Sequence, residues 1–94
     1  MDNKTFVIKN FFIKLIPVGH PAVYQYIMGG DKSKTSAVMR ITEEVYDICN
    51  PYWTGSDNFS LEYIRGISRI YLAYLEHEYK EGNISLKEIY QNNS

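Results

Sequence analysis

The sequence predicts a single α+β domain in which a three-stranded antiparallel sheet is followed by two or three helices. The chain has 94 residues, 45% of them hydrophobic and 22% charged, which suits one core because cores rarely divide below about 100 residues. Residues 1–41 contain short runs of β-branched and aromatic residues separated by glycine and proline. From Thr42 onward the apolar residues recur with a helical period. We therefore expect one domain over residues 1–94.

The three predicted strands cover residues 6–16, 23–28 and 36–41. In the first strand, Phe11, Ile13 and Leu15 alternate with other side chains and would share one face. Two prolines and a glycine in residues 17–21 predict a turn, because proline lacks the backbone donor that a sheet needs. A polar loop over residues 29–34 leads to the third strand. Sequential strands with short connections favour an antiparallel meander.

The first predicted helix covers residues 43–50. Thr42 is a suitable N-cap, and Glu43 and Glu44 place negative charge in the first turn, where it suits the helix dipole. Pro51 follows and cannot continue the helix. We therefore expect a helix of about two turns.

The second and third predicted helices cover residues 60–80 and 86–91. Asn58 or Ser60 can cap the longer helix, and Gly82 closes it. Ser85 and Glu88 have the spacing of a capping box, in which each side chain accepts from the other residue's backbone N–H. This spacing predicts the start of the short last helix.

Two apolar stripes run along the predicted helix 60–80. Together they span an arc of about 200°, which is wider than one packing contact requires. Either the helix is sandwiched between two elements of its own fold, or one stripe borders a groove or a subunit partner. The first stripe consists of Tyr63, Ile67, Ile70 and Tyr74, and the second of Ile64, Tyr71 and Leu75.

The formal net charge of −1 conceals two oppositely charged halves. Residues 1–40 carry six Lys and Arg against two Asp, a charge of +4, whereas residues 41–94 carry four Lys and Arg against nine Asp and Glu, a charge of −5. These charges could simply be segregated on a solvated surface. Alternatively, the N-terminal half faces an acidic peptide or a nucleic acid.

The sequence offers little material for catalysis or metal binding. It has one cysteine and two histidines, so it has no internal disulfide, and a zinc site would need carboxylates as well. His20 lies in a predicted turn, and Cys49 continues an apolar helical stripe. Residues 29–35 contain glycines and lysines but lack the spacing of a phosphate-binding loop. We therefore expect a protein that is not an enzyme and has no metal or cofactor.

The apolar stretch Phe6–Ile16 does not resemble a signal peptide or a membrane span. Lys9, Asn10 and Lys14 interrupt it, and a span needs about 20 apolar residues. We expect a cytoplasmic protein that makes no membrane contact. Its nine tyrosines suit either core packing or a contact surface.

One stretch resembles the ribbon-helix-helix repressors. It covers residues 35–76 and combines a strand, a helix opening at Arg40–Ile48 and a second helix containing Glu62–Leu72. In that family the strand pairs across a dimer and reads the major groove. The resemblance implies a dimeric DNA-binding regulator, and the groove-facing residues would be Ser36, Val38 and Arg40.

A second resemblance covers nearly the whole chain. Three strands followed by Met39–Cys49 and Leu72–Ile84 are similar to PqqD and related recognition domains for ribosomally synthesised, post-translationally modified peptides. This resemblance implies a winged-helix-like arrangement. The positions that fit the family's packing pattern are Ile41, Thr42, Leu72, Tyr74, Leu75, Gly82 and Ile84.

The second resemblance implies a non-catalytic adaptor. It would bind the leader segment of a precursor peptide as an added β-strand and present the peptide to a modifying enzyme. The pairing strand would be Ser36, Ala37, Val38, Met39, Arg40 and Ile41, and the apolar pockets would come from Tyr63, Ile67, Ile70 and Tyr74. An acidic leader would be attracted by Lys32, Lys34 and Arg40.

Three functions thus remain open on the sequence. The favoured function is capture of a peptide by a monomer or weak dimer. The second is DNA binding by a ribbon-helix-helix dimer, and nucleic acid is the less favoured partner. A small phage-type protein that inhibits a host complex by binding is the third, and it has no sequence signature of its own.

Overall fold

The computed structural model describes residues 14–49 and 60–90, and this part of the chain is all-α. The predicted α+β fold, with its three-stranded sheet and winged-helix-like arrangement, is therefore wrong, since residues 14–49 and 60–90 contain no strand. Of the first predicted strand, residues 6–13 lie outside the described ranges, and residues 14–16 are not extended into a sheet. The helices that lie wholly within the described residues are α1 (Pro21–Met28), α2 (Asp31–Cys49), α3 (Leu61–Lys80) and α4 (Leu86–Tyr90).

Helix α1 replaces the strand predicted over residues 23–28. The imidazole of His20 caps it, because Nδ1 accepts from the backbone N–H of Ala22 at 3.0 Å. Pro21 occupies the first helical turn, where its fixed φ suits a helix and its missing N–H costs nothing. The second of the two prolines that suggest a turn therefore marks the start of a helix. Helix α1 buries Ala22 and Val23.

Helix α2 replaces the strand predicted over residues 36–41 and begins twelve residues before the helix predicted from residue 43. The physical reason is a buried stripe with helical spacing that crosses the predicted boundary between strand and helix. Thr42 is therefore not a cap: it is fully buried in mid-helix, and its hydroxyl donates to the carbonyl of Val38 at 2.6 Å. The buried stripe consists of Ala37, Val38, Ile41, Thr42 and Val45.

Helices α3 and α4 agree closely with the sequence. Ser60 caps α3, its hydroxyl accepting from the N–H of Tyr63 at 3.1 Å. Gly82, at φ +83°, closes α3 in the left-handed conformation, and its N–H donates to the carbonyl of Tyr79. In the capping box of α4, the N–H of Ser85 donates to Glu88 Oε1 at 3.0 Å and the N–H of Glu88 donates to Ser85 Oγ at 3.2 Å.

The core lies where α1, α2 and α3 meet, with α4 packed against α1. Helix α2 packs along α3, and α1 contacts both. The Tyr71 hydroxyl ties α3 to the segment before α1, because it donates to the carbonyl of Ile16 at 2.6 Å. The side chains that are fully buried at the centre include Ile16, Val23, Ile41, Val45, Ile64, Leu72 and Ile89.

Candidate functional site

A basic groove runs between α2 and α3, with one wall from α1. It encloses a cavity of about 160 Å³. Its apolar lining residues, Val38 and Met39, are called its floor, and Tyr26 lines it from α1. The seven residues that define the groove are Tyr26, Lys34, Thr35, Val38, Met39, Arg65 and Arg69.

Lys34 is held rigidly at the edge of the groove. Its Nζ donates to the carbonyl of Tyr26 at 2.6 Å and to Glu76 Oε2 at 2.7 Å, and it lies 4.4 Å from the centroid of the Tyr26 ring. This one ammonium therefore links α1, α2 and α3. Its charge is largely compensated by Glu76, so Lys34 fixes the geometry of the groove more than it supplies free positive charge.

Arg65 and Arg69 supply that free charge, one turn apart on α3. Arg65 Nη2 lies 3.3 Å from Glu62 Oε1, but the side chain of Glu62 is 85% exposed. Exposed pairs of this kind contribute only about 0–1 kcal/mol, so Glu62 yields readily to another anion. Arg69 makes no hydrogen bond or ion pair within the described residues. The groove therefore presents two guanidinium groups that can donate hydrogen bonds to an anionic ligand.

The face of α2 next to the basic groove is acidic, and the two surfaces share Thr35 and Met39. A shallow depression there carries one cation, Arg40, beside the three carboxylates of Glu43, Glu44 and Asp47. Arg40 Nε lies 3.8 Å from Glu44 Oε2. Because Arg40 faces these carboxylates, it does not line the basic groove.

His20 joins the same acidic cluster from the start of α1. Its Nδ1 already accepts from the N–H of Ala22, so in the neutral ring the proton is on Nε2. Nε2 lies 3.1 Å from Glu44 Oε2 and 3.3 Å from Oε1, and the hydrogen bond is made to Oε1. This contact joins the start of α1 to α2, so His20 has a structural role in the fold.

The chain matches no protein family, no curated protein and no solved structure. The functional argument therefore rests on the geometry of its own residues. Across residues 14–49 and 60–90, no three His, Cys, Asp or Glu side chains group as metal ligands. No helix in the described part of the chain is both long and apolar enough to cross a membrane.

The structure brings only some of the sequence-predicted binding residues together. Lys34, Val38 and Met39 meet in the basic groove. Ala37 lies in the core, whereas Ser36, Lys32 and Arg40 are exposed on α2 outside the groove.

The predicted apolar pockets on α3 are similarly divided. Ile67 is buried in the core and Tyr63 is half-buried against it. Ile70 and Tyr74 point away from the core and are 61% and 56% exposed. The stripe expected to line one cleft thus lies partly inside the protein and partly on its outer surface.

Sequence reasoning missed Arg65 and Arg69, because the helical wheel assigns both to the polar arc of α3. Their spacing of four residues is the available signal, since it places both guanidinium groups on one face. The surface that these guanidinium groups line depends on how α2 packs against α3. A helical wheel of α3 alone holds no information about that packing.

Tyr71 provides a test of the packing between α3 and the segment before α1. Burial, with a smaller contribution from Tyr74, raises the pKa of its phenol from 10.0 to about 12. Unfolding then releases a proton between these two pH values, so the free energy of unfolding should fall as pH rises through this interval.

We expect the ultraviolet titration of tyrosinate to show a late phase from Tyr71. Tyr71→Phe should remove that late phase, while Tyr46→Phe, a half-buried tyrosine on α2, should leave it in place. A late phase that survives in Tyr71→Phe would contradict the assignment.

Proposed function

We propose that this chain is a cytoplasmic, non-catalytic adaptor that holds an acidic segment of a peptide partner in the basic groove. The observation that carries the proposal is the pair Arg65 and Arg69 over the apolar floor of Val38 and Met39. Guanidinium groups bind carboxylates with two parallel hydrogen bonds, and an apolar floor accepts the side chains between the acids. The groove therefore suits a segment in which acidic and apolar residues alternate.

The partner class we propose is the leader segment of a ribosomally made precursor peptide, which the adaptor presents to a modifying enzyme. The support for this class is the resemblance over Leu72–Ile84, in which Leu72 and Leu75 are buried and Gly82 closes α3. Capture must use side chains, because the backbone groups of residues 36–41 are occupied by the hydrogen bonds of α2. Strand addition at that segment forms no part of the proposal.

Charge favours a peptide over duplex DNA as the occupant. The cavity is small, and the neighbouring depression on α2 carries the carboxylates of Glu43, Glu44 and Asp47. A phosphate backbone that extends beyond the groove would meet these like charges, whereas an acidic segment confined to the groove would not. The basic groove is therefore better matched to a local cluster of carboxylates.

Fluorescence anisotropy with a labelled peptide of about ten residues, alternating Glu and Leu, tests the proposal. We expect the protein to bind it more tightly than the matching Lys and Leu peptide. The double variant Arg65→Gln/Arg69→Gln should weaken binding about tenfold or more, because each lost charged hydrogen bond costs about 1.5–3 kcal/mol before solvent screening.

Lys32→Gln/Arg40→Gln is the matched control, since it also removes two positive charges, both from exposed residues of α2 that do not line the groove. Affinity within about twofold of the unaltered protein is expected for it, a change of less than about 0.5 kcal/mol. Equal affinity for the acidic and basic peptides, or full affinity in the double variant, would overturn the proposal. Tighter binding of duplex DNA than of the acidic peptide at the same salt concentration would overturn it in favour of a nucleic acid.

A further inference from the structure

The outward side of α3 carries an uncharged seam, defined by Gly66, Ile70, Ala73, Tyr74 and His77. Ile70 and Tyr74 are its largest members and are more than half exposed. The seam lies opposite the side of α3 that packs into the core through Ile64, Leu72 and Leu75.

The spacing of the seam is that of a coiled coil. Residues 66, 70, 73 and 77 follow one another at intervals of four, three and four, as the a and d positions of a heptad do. A Cβ added at Gly66 would meet nothing within 4 Å, so space above the seam is open there. Small residues at positions 66 and 73 would allow a second helix to approach closely.

The charges beside the seam indicate which helix would fit. Along one edge, seven residues apart, lie Glu62, Arg69 and Glu76. Arg69 has no ion-pair partner within residues 14–49 and 60–90, and Glu76 faces Lys34 at 2.7 Å with Lys80 at 4.0 Å. This edge contains both signs, so a purely acidic or purely basic partner helix would meet repulsion somewhere along it.

A second copy of α3 that runs antiparallel would place opposite charges against this edge. In antiparallel pairs, equivalent edges of the two helices face each other. A two-fold axis near Tyr71 and Leu72 sets Gly66 of each copy level with His77 of the other. Arg69 of each copy then lies about 3 Å along the axis from level with Glu76 of the other, within reach of two reciprocal ion pairs. In a parallel pair, Arg69 would instead face the opposite edge of the partner, where Tyr74 lies.

We propose that two copies of this chain associate through antiparallel pairing of their α3 seams. The pairing buries Ile70 and Tyr74 of both copies and uses Arg69 and Glu76 for register. A single pair of helices buries less than the roughly 1,200 Å² of a stable interface, so the dimer is weak and reversible. The inference does not rest on the proposed function, although Arg69 belongs to both surfaces.

Sedimentation velocity over protein concentrations from about 10 μM to 1 mM tests the pairing, since dissociation constants in this range correspond to weak association. The sedimentation coefficient should rise with concentration for the unaltered chain. Ile70→Glu should weaken association about tenfold or more, because it places a charge in the seam. Ile48→Glu, which makes the same change at an exposed isoleucine of α2, should leave association unchanged.

The direction of pairing is tested by disulfide exchange in a Cys49→Ser background. Mixing Gly66→Cys with His77→Cys should give the mixed disulfide in high yield, and Gly66→Cys alone should give little, since positions 66 and 77 face each other only in the antiparallel pair. A monomer at all concentrations, unchanged association in Ile70→Glu, or a Gly66→Cys homodimer as the main product would each overturn the proposal. If Ile70→Glu is monomeric and still binds the acidic peptide, then association has been lost without loss of peptide binding. The pairing and the proposed function are thereby tested separately.

Discussion

Replacing Val38 with proline is expected to destabilise the fold strongly rather than to alter a binding edge. Val38 lies in the second turn of α2 and is almost fully buried, so proline there removes an intrahelical hydrogen bond and clashes with the carbonyl of Lys34. The expected loss is about 3 kcal/mol or more for the helix alone. A domain of this size has a total stability of about 5–14 kcal/mol, so this loss removes a large part of it. Circular dichroism during urea unfolding measures the change.

Asp31→Pro is the control for this substitution. Asp31 is the first residue of α2, where the backbone N–H has no partner inside the helix and the φ of proline is already suitable. We expect a change below about 1 kcal/mol, arising from the lost negative charge at the helix start. If Val38→Pro kept the helical signal and stability of the unaltered chain, α2 would not be continuous through residue 38.

The C-terminal half of the fold could be predicted from the sequence because its signals are local. The cap at Ser60, the left-handed glycine at Gly82 and the capping box from Ser85 to Glu88 each depend on residues within one or two turns. Local hydrogen bonds of this kind are encoded by residue type and spacing alone. The bounds of α3 and the start of α4 follow from them.

The N-terminal half could not be predicted, because local propensity conflicts with helical burial there. Val23–Met28 is rich in β-branched and aromatic residues, and Ser36–Ile41 contains the β-branched Val38 and Ile41; such residues favour strands when considered alone. Tertiary packing overrides that preference, since Ala37, Val38, Ile41 and Val45 can all be buried against α3 only if the segment is helical. Reading the stripe across residue 42, instead of dividing the chain there, would have revealed α2.

The candidate site divides in the same way. Lys34 and Val38 could be selected from the sequence as part of a basic, partly apolar surface, although the sequence predicts Lys34 in a loop and Val38 in a strand. Arg65 and Arg69 come from a helix about 30 positions further along the chain, and only the packing of α2 on α3 sets them beside Lys34. The hydrophobic period of either helix alone does not reveal how the two helices pack together.

Leu72→Ala is expected to produce the second large effect, because it tests which side of α3 faces the core. Leu72 is fully buried among the side chains of the core. Removing its branched end should lower the free energy of unfolding by about 3 kcal/mol, from lost burial and from the cavity that remains. Urea unfolding monitored by circular dichroism should show an earlier midpoint with an unchanged slope.

Ile70→Ala makes a comparable truncation two residues earlier on the same helix, at a side chain that is 61% exposed. Little apolar area is lost there, and alanine is the better helix former, so the two effects nearly cancel to within about 0.5 kcal/mol. At concentrations low enough to keep the chain monomeric, the two variants should therefore differ by several-fold in destabilisation. Equal losses would mean that α3 turns a different face to the core. The basic groove and the outward seam would then both be misplaced, because each is fixed by the rotation of α3 about its axis.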